Sequence, residues 1–184
     1  ALWDILGKVV DLPIYGLLGG AIRDKIPLYA DHGVFNGAGD WEECVERILA
    51  VKEDGFEMFK WDPFEGSGTP TPSDLRDQIR KIETVRDAVG SEYQIAIDAH
   101  NRCSVDGAIM AVQALESLNI FFLEAPTADD PEQLKQVANA TDIPIATGEL
   151  TCTRQEAKAL FDSGSLGFFQ PEVGTNGGIL ETVK

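Results

Sequence analysis

Short apolar runs alternate with longer amphipathic stretches along this chain from residue 27 onward. The run IPLYA is strand-like. DWEECVERILAVKEDG has helical spacing, with Asp40 placed to cap it and Gly55 placed to end it. EMFKW is the next strand. PSDLRDQIRKIETVRDAVG is the next helix; Ser73 is its expected cap, and Leu75, Ile79, Ile82, Val85 and Val89 share one face. The alternation continues with YQIAID and VDGAIMAVQALESLN, IFFLEA and DPEQLKQVANATD, IPIATG and TRQEAKALFDSGS, and finally LGFFQ. Six strands are therefore predicted, each followed by a helix or the start of one.

The strands are continuous apolar runs, as a sheet covered by helices requires. Strict alternation implies right-handed parallel crossovers, hence a doubly wound sheet or a (β/α) barrel. No GxGxxG follows the first strand, which argues against the dinucleotide-binding version. Eight strands close the usual barrel and six are predicted. The chain also begins without Met, inside the helix-like run ALWDILGK, and stops at Lys184 just after a helix start. A central piece of a longer chain is expected.

The apolar runs carry acids at their ends: Asp98 in YQIAIDAH, Glu124 in IFFLEAP, Glu149 in IPIATGEL and Glu172 in LGFFQPE. The gaps between them are 26, 25 and 23 residues, about one strand plus one helix plus two loops. A barrel gathers successive strand ends around one point, whereas an open sheet spreads them along a line. Any single acid of this kind is ordinarily a helix cap or a loop end, as Asp130 before Pro131 is expected to be. Three at matching points of consecutive units, Asp98, Glu124 and Glu149, point to a divalent metal held by hard oxygen ligands. Glu172 is a fourth ligand, an outer acid that orients other groups, or the partner of a base.

Other rim residues carry candidate chemistry. Lys60 ends the second strand and is suited to bind a substrate carboxylate, or to act as a base if its pKa is lowered. His100 lies two residues beyond Asp98, on the same side of an extended segment, and suits proton transfer near neutral pH. Arg102 is a substrate clamp or the partner of a rim acid. His32, in the loop ADHGVF, is a further rim candidate. Trp61 and Phe64 either wall the pocket or pack in the core.

Composition narrows the functional classes. A net charge of -16 and a pI near 4.3 argue against nucleic acid, whose backbone would repel this surface. The same acidity fits either a cytosolic protein kept soluble by charge or one adapted to high salt. No apolar run approaches the ~18 residues of a membrane span, and no leader resembles a signal peptide. Three unpaired cysteines, Cys44, Cys103 and Cys152, fit a reduced, cytoplasmic setting.

The run ALWDILGKVVDLPIYGLLGG closely resembles the segment joining the capping domain to the barrel in the mandelate racemase and muconate lactonizing branch of the enolase superfamily. FKWD, IDAHNR, FFLEAP, IATGE and FQPEVGTNGGI are similar to that family's strand-end motifs, in the correct order. The resemblance implies a TIM-type (β/α) barrel, incomplete here at about six βα units over residues 27–184, with residues 1–26 as exit segment and linker. It implies Mg²⁺ on Asp98, Glu124 and Glu149, and abstraction of the proton α to a carboxylate.

Two departures sharpen what the resemblance implies. Many members carry Lys-x-Lys on the second strand, but this chain reads Lys60-Trp61-Asp62, which disfavours a racemase and makes Asp62 a substrate-binding candidate. Asp98-Ala99-His100 is similar to the motif of acid-sugar dehydratases such as galactonate dehydratase. There the matching histidine helps the β-hydroxyl leave. Glu172 stands where the family usually has an Asp supporting a histidine base on the seventh strand, and that base is expected outside this chain. The implied substrate is a small-molecule sugar acid, dehydrated to a 2-keto-3-deoxy acid. The alternatives are a racemase, epimerase or cycloisomerase of the same superfamily, or an inactive metal-binding piece. A homo-oligomer is expected for the full-length protein.

Overall fold

The computed structural model describes residues 2–31, 41–64 and 71–184. Its centre is one parallel sheet of five strands: β1 (Met58–Trp61), β2 (Gln94–Asp98), β3 (Ile120–Glu124), β4 (Ile145–Thr147) and β5 (Phe168–Phe169). Each strand pairs with the next in chain order, β1 through β5, with no reversal. A doubly wound sheet must reverse its order at a switch point. This singly wound order is that of a barrel wall.

Eight helices occur among the described residues. The amino-terminal pair is α1 (Leu2–Val10) and α2 (Ile14–Leu17), followed by α3 (Trp41–Glu53) before β1. The crossovers are α4 (Pro72–Val89), α5 (Val105–Leu115, extended by a 3-10 turn at Glu116–Leu118), α6 (Pro131–Ala138) and α7 (Arg154–Ser163); α8 (Ile179–Val183) ends the chain. None of the helices is long and apolar enough to cross a membrane.

Two expectations need correction. IPLYA does not form a strand; it contributes one bridge, Ala30 to Phe59, with Ala30 N–H to Met58 O at 3.1 Å and Lys60 N–H to Ala30 O at 2.8 Å. Pro27 has no N–H to offer a ladder, and Ile26 and Leu28 remain largely exposed, so nothing is gained by extending the pairing. The cap of α4 is Thr71 rather than Ser73. Thr71 and Asp74 form a reciprocal capping box, and Pro72 takes the first helical position, where its fixed φ fits and its missing N–H costs nothing. Asp130 caps α6 as expected, accepting from Gln133 N–H at 2.9 Å. Gly55, at φ +93, follows α3 as its stop, while Asp40 lies outside the described residues.

Side chains alternate across the sheet and so divide the core in two. One face, toward the helices, is thickly apolar: Phe59, Ile95, Ile97, Leu123 and Ile145 meet Ile82, Val85, Leu115, Leu134 and Leu160. Each such side chain contributes about 1.5–3 kcal/mol by leaving water. Trp61 belongs to this face, stacked on Phe59 with ring centroids 5.1 Å apart, so core packing is its role. Phe64 joins the same cluster. The other face is thinner, with Met58, Ala96, Phe122 and Ala146 below the rim.

The strands enter the sheet under a second, polar constraint. Arg86 of α4 donates to the carbonyls of Leu118 (2.8 Å), Asn119 (2.8 Å), Gly90 (2.8 Å) and Tyr93 (2.5 Å). One guanidinium thereby ties together the loops that feed β2 and β3, the two strands that deliver the rim carboxylates. Its planar fork suits this better than lysine would.

Candidate metal and acid-base site

Lys60, Asp98 and Glu124 stand on the inner face at the carboxyl ends of β1, β2 and β3. The β2–β3 register sets Asp98 directly beside Glu124. All three residues are buried, each 5 or 6 % exposed. Two adjacent buried carboxylates repel, and Lys60 resolves this: its Nζ lies 2.7 Å from Glu124 Oε2 and 3.1 Å from Asp98 Oδ2.

The electrostatics follow from that geometry. Burial alone would lower the Lys60 pKa, but the hydrogen bond to Glu124 and the charge of Asp98 outweigh it and raise it. The ammonium is thus held charged, and the lowered pKa that a lysine base needs is not what this environment produces. Burial raises the Glu124 carboxyl above the usual range; the Lys60 hydrogen bond opposes this and the Asp98 charge adds to it. The Tyr29 ring centroid lies 5.8 Å from Lys60 Nζ, and the Gln170 side chain lies beside Glu124. Neither residue was a sequence candidate. The signal for Gln170 was its place at the end of the apolar run LGFFQ, directly after β5, the place Asp62 holds after β1.

A second cluster adjoins the first. The buried Asp62 carboxylate accepts from Phe64 N–H at 2.7 Å through Oδ1. Its Oδ2 lies 2.8 Å from His100 Nδ1 and also accepts from Arg102 Nη1. Arg102 Nη1 donates to Phe64 O as well, at 3.1 Å. His100 N–H donates to Asp98 Oδ1 at 2.9 Å. Of the two roles open to Arg102, this is the pairing with a rim acid.

The backbone that carries these residues is unusual. His100 (φ +47), Asn101 (φ +58) and Ala125 (φ +42) all lie in the left-handed region, just past β2 and β3. Such conformations cost about 1–3 kcal/mol each and cluster at functional sites. Here Asn101 N–H bonds Ala125 O at 2.7 Å and Cys103 N–H bonds Pro126 O at 3.2 Å, so the two turns hold one another. The Cys103 thiol behind them is pushed up to about 11 by burial, with Asp62 adding.

The remaining candidates are not brought to this cluster. Glu149 is exposed in a turn two residues beyond Thr147. Glu172 is exposed as well, and its carboxylate accepts from Thr175 N–H at 2.5 Å, closing its own turn. Hydrogen bonds from Gly174 and Thr175 hold its pKa below the usual range. His32 lies outside the described residues. Among the described residues, no three His, Cys, Asp or Glu side chains come together as a metal site. Asp98 and Glu124 form a hard-oxygen pair already converging on one cation, the Lys60 ammonium, and that donor set fits Mg²⁺. Glu149 does not complete it here.

A cleft of about 780 Å³ reaches the underside of the site, lined by Tyr29, Met58, Phe122, Phe168 and Gln170 among others. A smaller cavity of about 410 Å³ lies between α7 and α8, away from the carboxylates.

Comparisons with known proteins bear on the family and the fold. The model of the family described as enolase C-terminal domain-like matches residues 43–184. A D-galactonate dehydratase of Cronobacter sakazakii is 34% identical over 186 residues, 100% of this chain and 48% of its own length. A member of the enolase superfamily from Salmonella Typhimurium superposes with a TM-score of 0.89 at 33% identity, over 99% of this chain and 52% of that one. The L-talarate/galactarate dehydratase of Salmonella typhimurium LT2, liganded with Mg and L-lyxarohydroxamate, superposes with a TM-score of 0.85 at 30% identity, over 100% and 45% of the two chains. The chain thus spans about half the length of the curated relatives it matches. With its parallel strands wound in one direction and its acids at their tips, the chain belongs to the enolase C-terminal domain-like family of the enolase superfamily.

Proposed function

We propose that the protein carrying this chain is a Mg²⁺-dependent hydro-lyase that dehydrates a sugar acid to a 2-keto-3-deoxy acid. The observation that carries this reading is the juxtaposition of a buried carboxylate pair, Asp98 and Glu124, with an imidazole, His100, two residues past the first of them. The likeness to a D-galactonate dehydratase supports the substrate class.

Asp98 and Glu124 would hold the metal, with Glu149 at the next strand end as the third carboxylate candidate. A bound divalent cation supplies the positive charge that makes a proton α to a carboxylate acidic enough to remove. Lys60 has three N–H donors, two of them engaged by Asp98 and Glu124; the third is offered to the substrate carboxylate. Loss of the α-proton leaves an electron pair that expels the β-hydroxyl. His100, as the imidazolium, gives its Nε2 proton to that oxygen as the C–O bond breaks, so that it departs as water and the ring is left neutral. The enol product then tautomerises to the 2-keto acid. Glu172 is proposed as an outer support rather than a group that touches substrate. The proton acceptor is not assigned to this chain, since Lys60 and Arg102 both pair with carboxylates.

The test uses the full-length protein with a panel of aldonic and aldaric acids and Mg²⁺, following 2-keto-3-deoxy product. Absence of product with every acid rejects the dehydratase reading. Exchange of the α-proton in heavy water without dehydration would point instead to an epimerase or racemase.

A further inference from the structure

We infer that Asp62 is a positioning residue that fixes the His100 imidazole with Nδ1 held as a hydrogen-bond donor, in the neutral ring and the imidazolium alike, rather than a group that binds substrate. Both Asp62 oxygens are already engaged. Oδ1 takes the Phe64 N–H at 2.7 Å, and Oδ2 takes Arg102 Nη1 and faces His100 Nδ1 at 2.8 Å. The side chain is 4 % exposed, so a substrate hydroxyl has little of it to reach. Arg102, bonded to Asp62 and to the Phe64 carbonyl, fixes the carboxylate in turn.

The proton assignment follows from donor chemistry. A carboxylate only accepts hydrogen bonds, so the imidazole nitrogen against it must be the donor. Placing the proton on Nε2 instead would set the bare Nδ1 lone pair against Asp62 Oδ2. The backbone enforces the same pose from below, with His100 at φ +47 and its N–H on Asp98 Oδ1 at 2.9 Å. With Nδ1 kept as a donor, a proton that His100 gives to a leaving group comes from Nε2 of the imidazolium, and the ring left behind is the Nδ1–H form. At the position that answers to the second lysine of a Lys-x-Lys motif, this chain has a handle for the histidine just past the neighbouring strand.

The catalytic consequence rests on the dehydratase reading; the tautomer does not, and the experiment separates them. First, ¹⁵N-histidine NMR of the full-length protein at one fixed pH, with the His100 signals identified by their loss in His100→Gln, reports the tautomer directly. The Nδ1–H form is expected. A dominant Nε2–H form overturns the inference whether or not the protein dehydrates anything. Second, Asp62→Asn keeps the shape but offers one acceptor oxygen in place of two, and no longer restricts Nδ1 to donating. It is expected to shift the His100 signals toward a tautomer mixture and to lower kcat about 10²-fold, with KM changed by less than about threefold. A rise in KM with kcat preserved would make Asp62 a substrate-binding group and overturn the proposal. If Asp62→Asn does not fold, the NMR result on the unaltered protein decides.

Discussion

The same short motif, an acid just after an apolar strand, has two different fates in this molecule. On β2 and β3 the acids are the last strand residues; they pair side by side, are buried, and share one ammonium. After β4 and β5 the acids lie two and three residues further on, in turns, and are exposed. The difference teaches that even spacing sets which strand end an acid belongs to. Whether the carboxylate turns inward depends on the one or two residues between strand and acid, and on what packs against them.

The sharpest way to break this contrast is to remove its counter-ion. Lys60→Met leaves Asp98 and Glu124 buried without a cation, and about 3–5 kcal/mol of stability should be lost in denaturant titrations. Mg²⁺ should restore more stability to the variant than it adds to the unaltered protein. A loss below 1 kcal/mol would mean that the pair is solvated and the two halves are alike.

Cysteine reactivity probes the same two halves without altering them. Cys103 follows β2 and is buried, with a thiol pushed up to about 11, whereas Cys152 follows β4 and is exposed. A thiol with a raised pKa stays protonated until the pH approaches that value. At pH 8 iodoacetamide should therefore modify Cys152 at least about 100-fold faster than Cys103, the gap narrowing as the pH rises toward 11. Peptide mass spectrometry reads both sites. Equal rates would show that the β2 end opens as freely as the β4 end.

Gly148 tests why the β4 end diverges. It sits at φ +127, and a Cβ there would lie 2.6 Å from the Phe169 ring. Gly148→Ala should cost about 1–3 kcal/mol in thermal or chemical unfolding, while a neutral result would remove the packing reason for the turn. The finest distinction is in metal affinity. By calorimetry, Asp98→Asn and Glu124→Gln should each weaken Mg²⁺ binding on the order of 10–100-fold, and Glu149→Gln about tenfold less than either. An equal loss at Glu149 would show that the cation draws this acid inward and that the contrast holds only without it.

Much of this architecture was legible in the residues. The covered strands announced themselves as unbroken apolar runs, because both faces of a parallel sheet must be dry. Asp130 before Pro131 was legible as a cap because the chemistry is local. IPLYA misled because its apolar residues looked the same whether or not a ladder formed, and Pro27 and solvent exposure decided against it. Asp62 and Arg102 were each legible as rim residues, but not as partners. They stand forty positions apart in the chain, and only the adjacency of β1 and β2 joins them. Arg86 was hidden in a helix whose apolar face seemed to explain it, because its acceptors are carbonyls that any sequence supplies.

By itself, then, the sequence determined the alternation of strands and helices from β1 onward, the candidate acids and the family, since periodicity and motif are properties of neighbouring residues. Tertiary structure alone decided which acids share a cation, that Lys60 is held charged, and that Asp62, itself held by Arg102, meets His100. Those outcomes depend on strand register, burial and distances of about 3 Å between residues far apart in the chain, none of which local patterns encode.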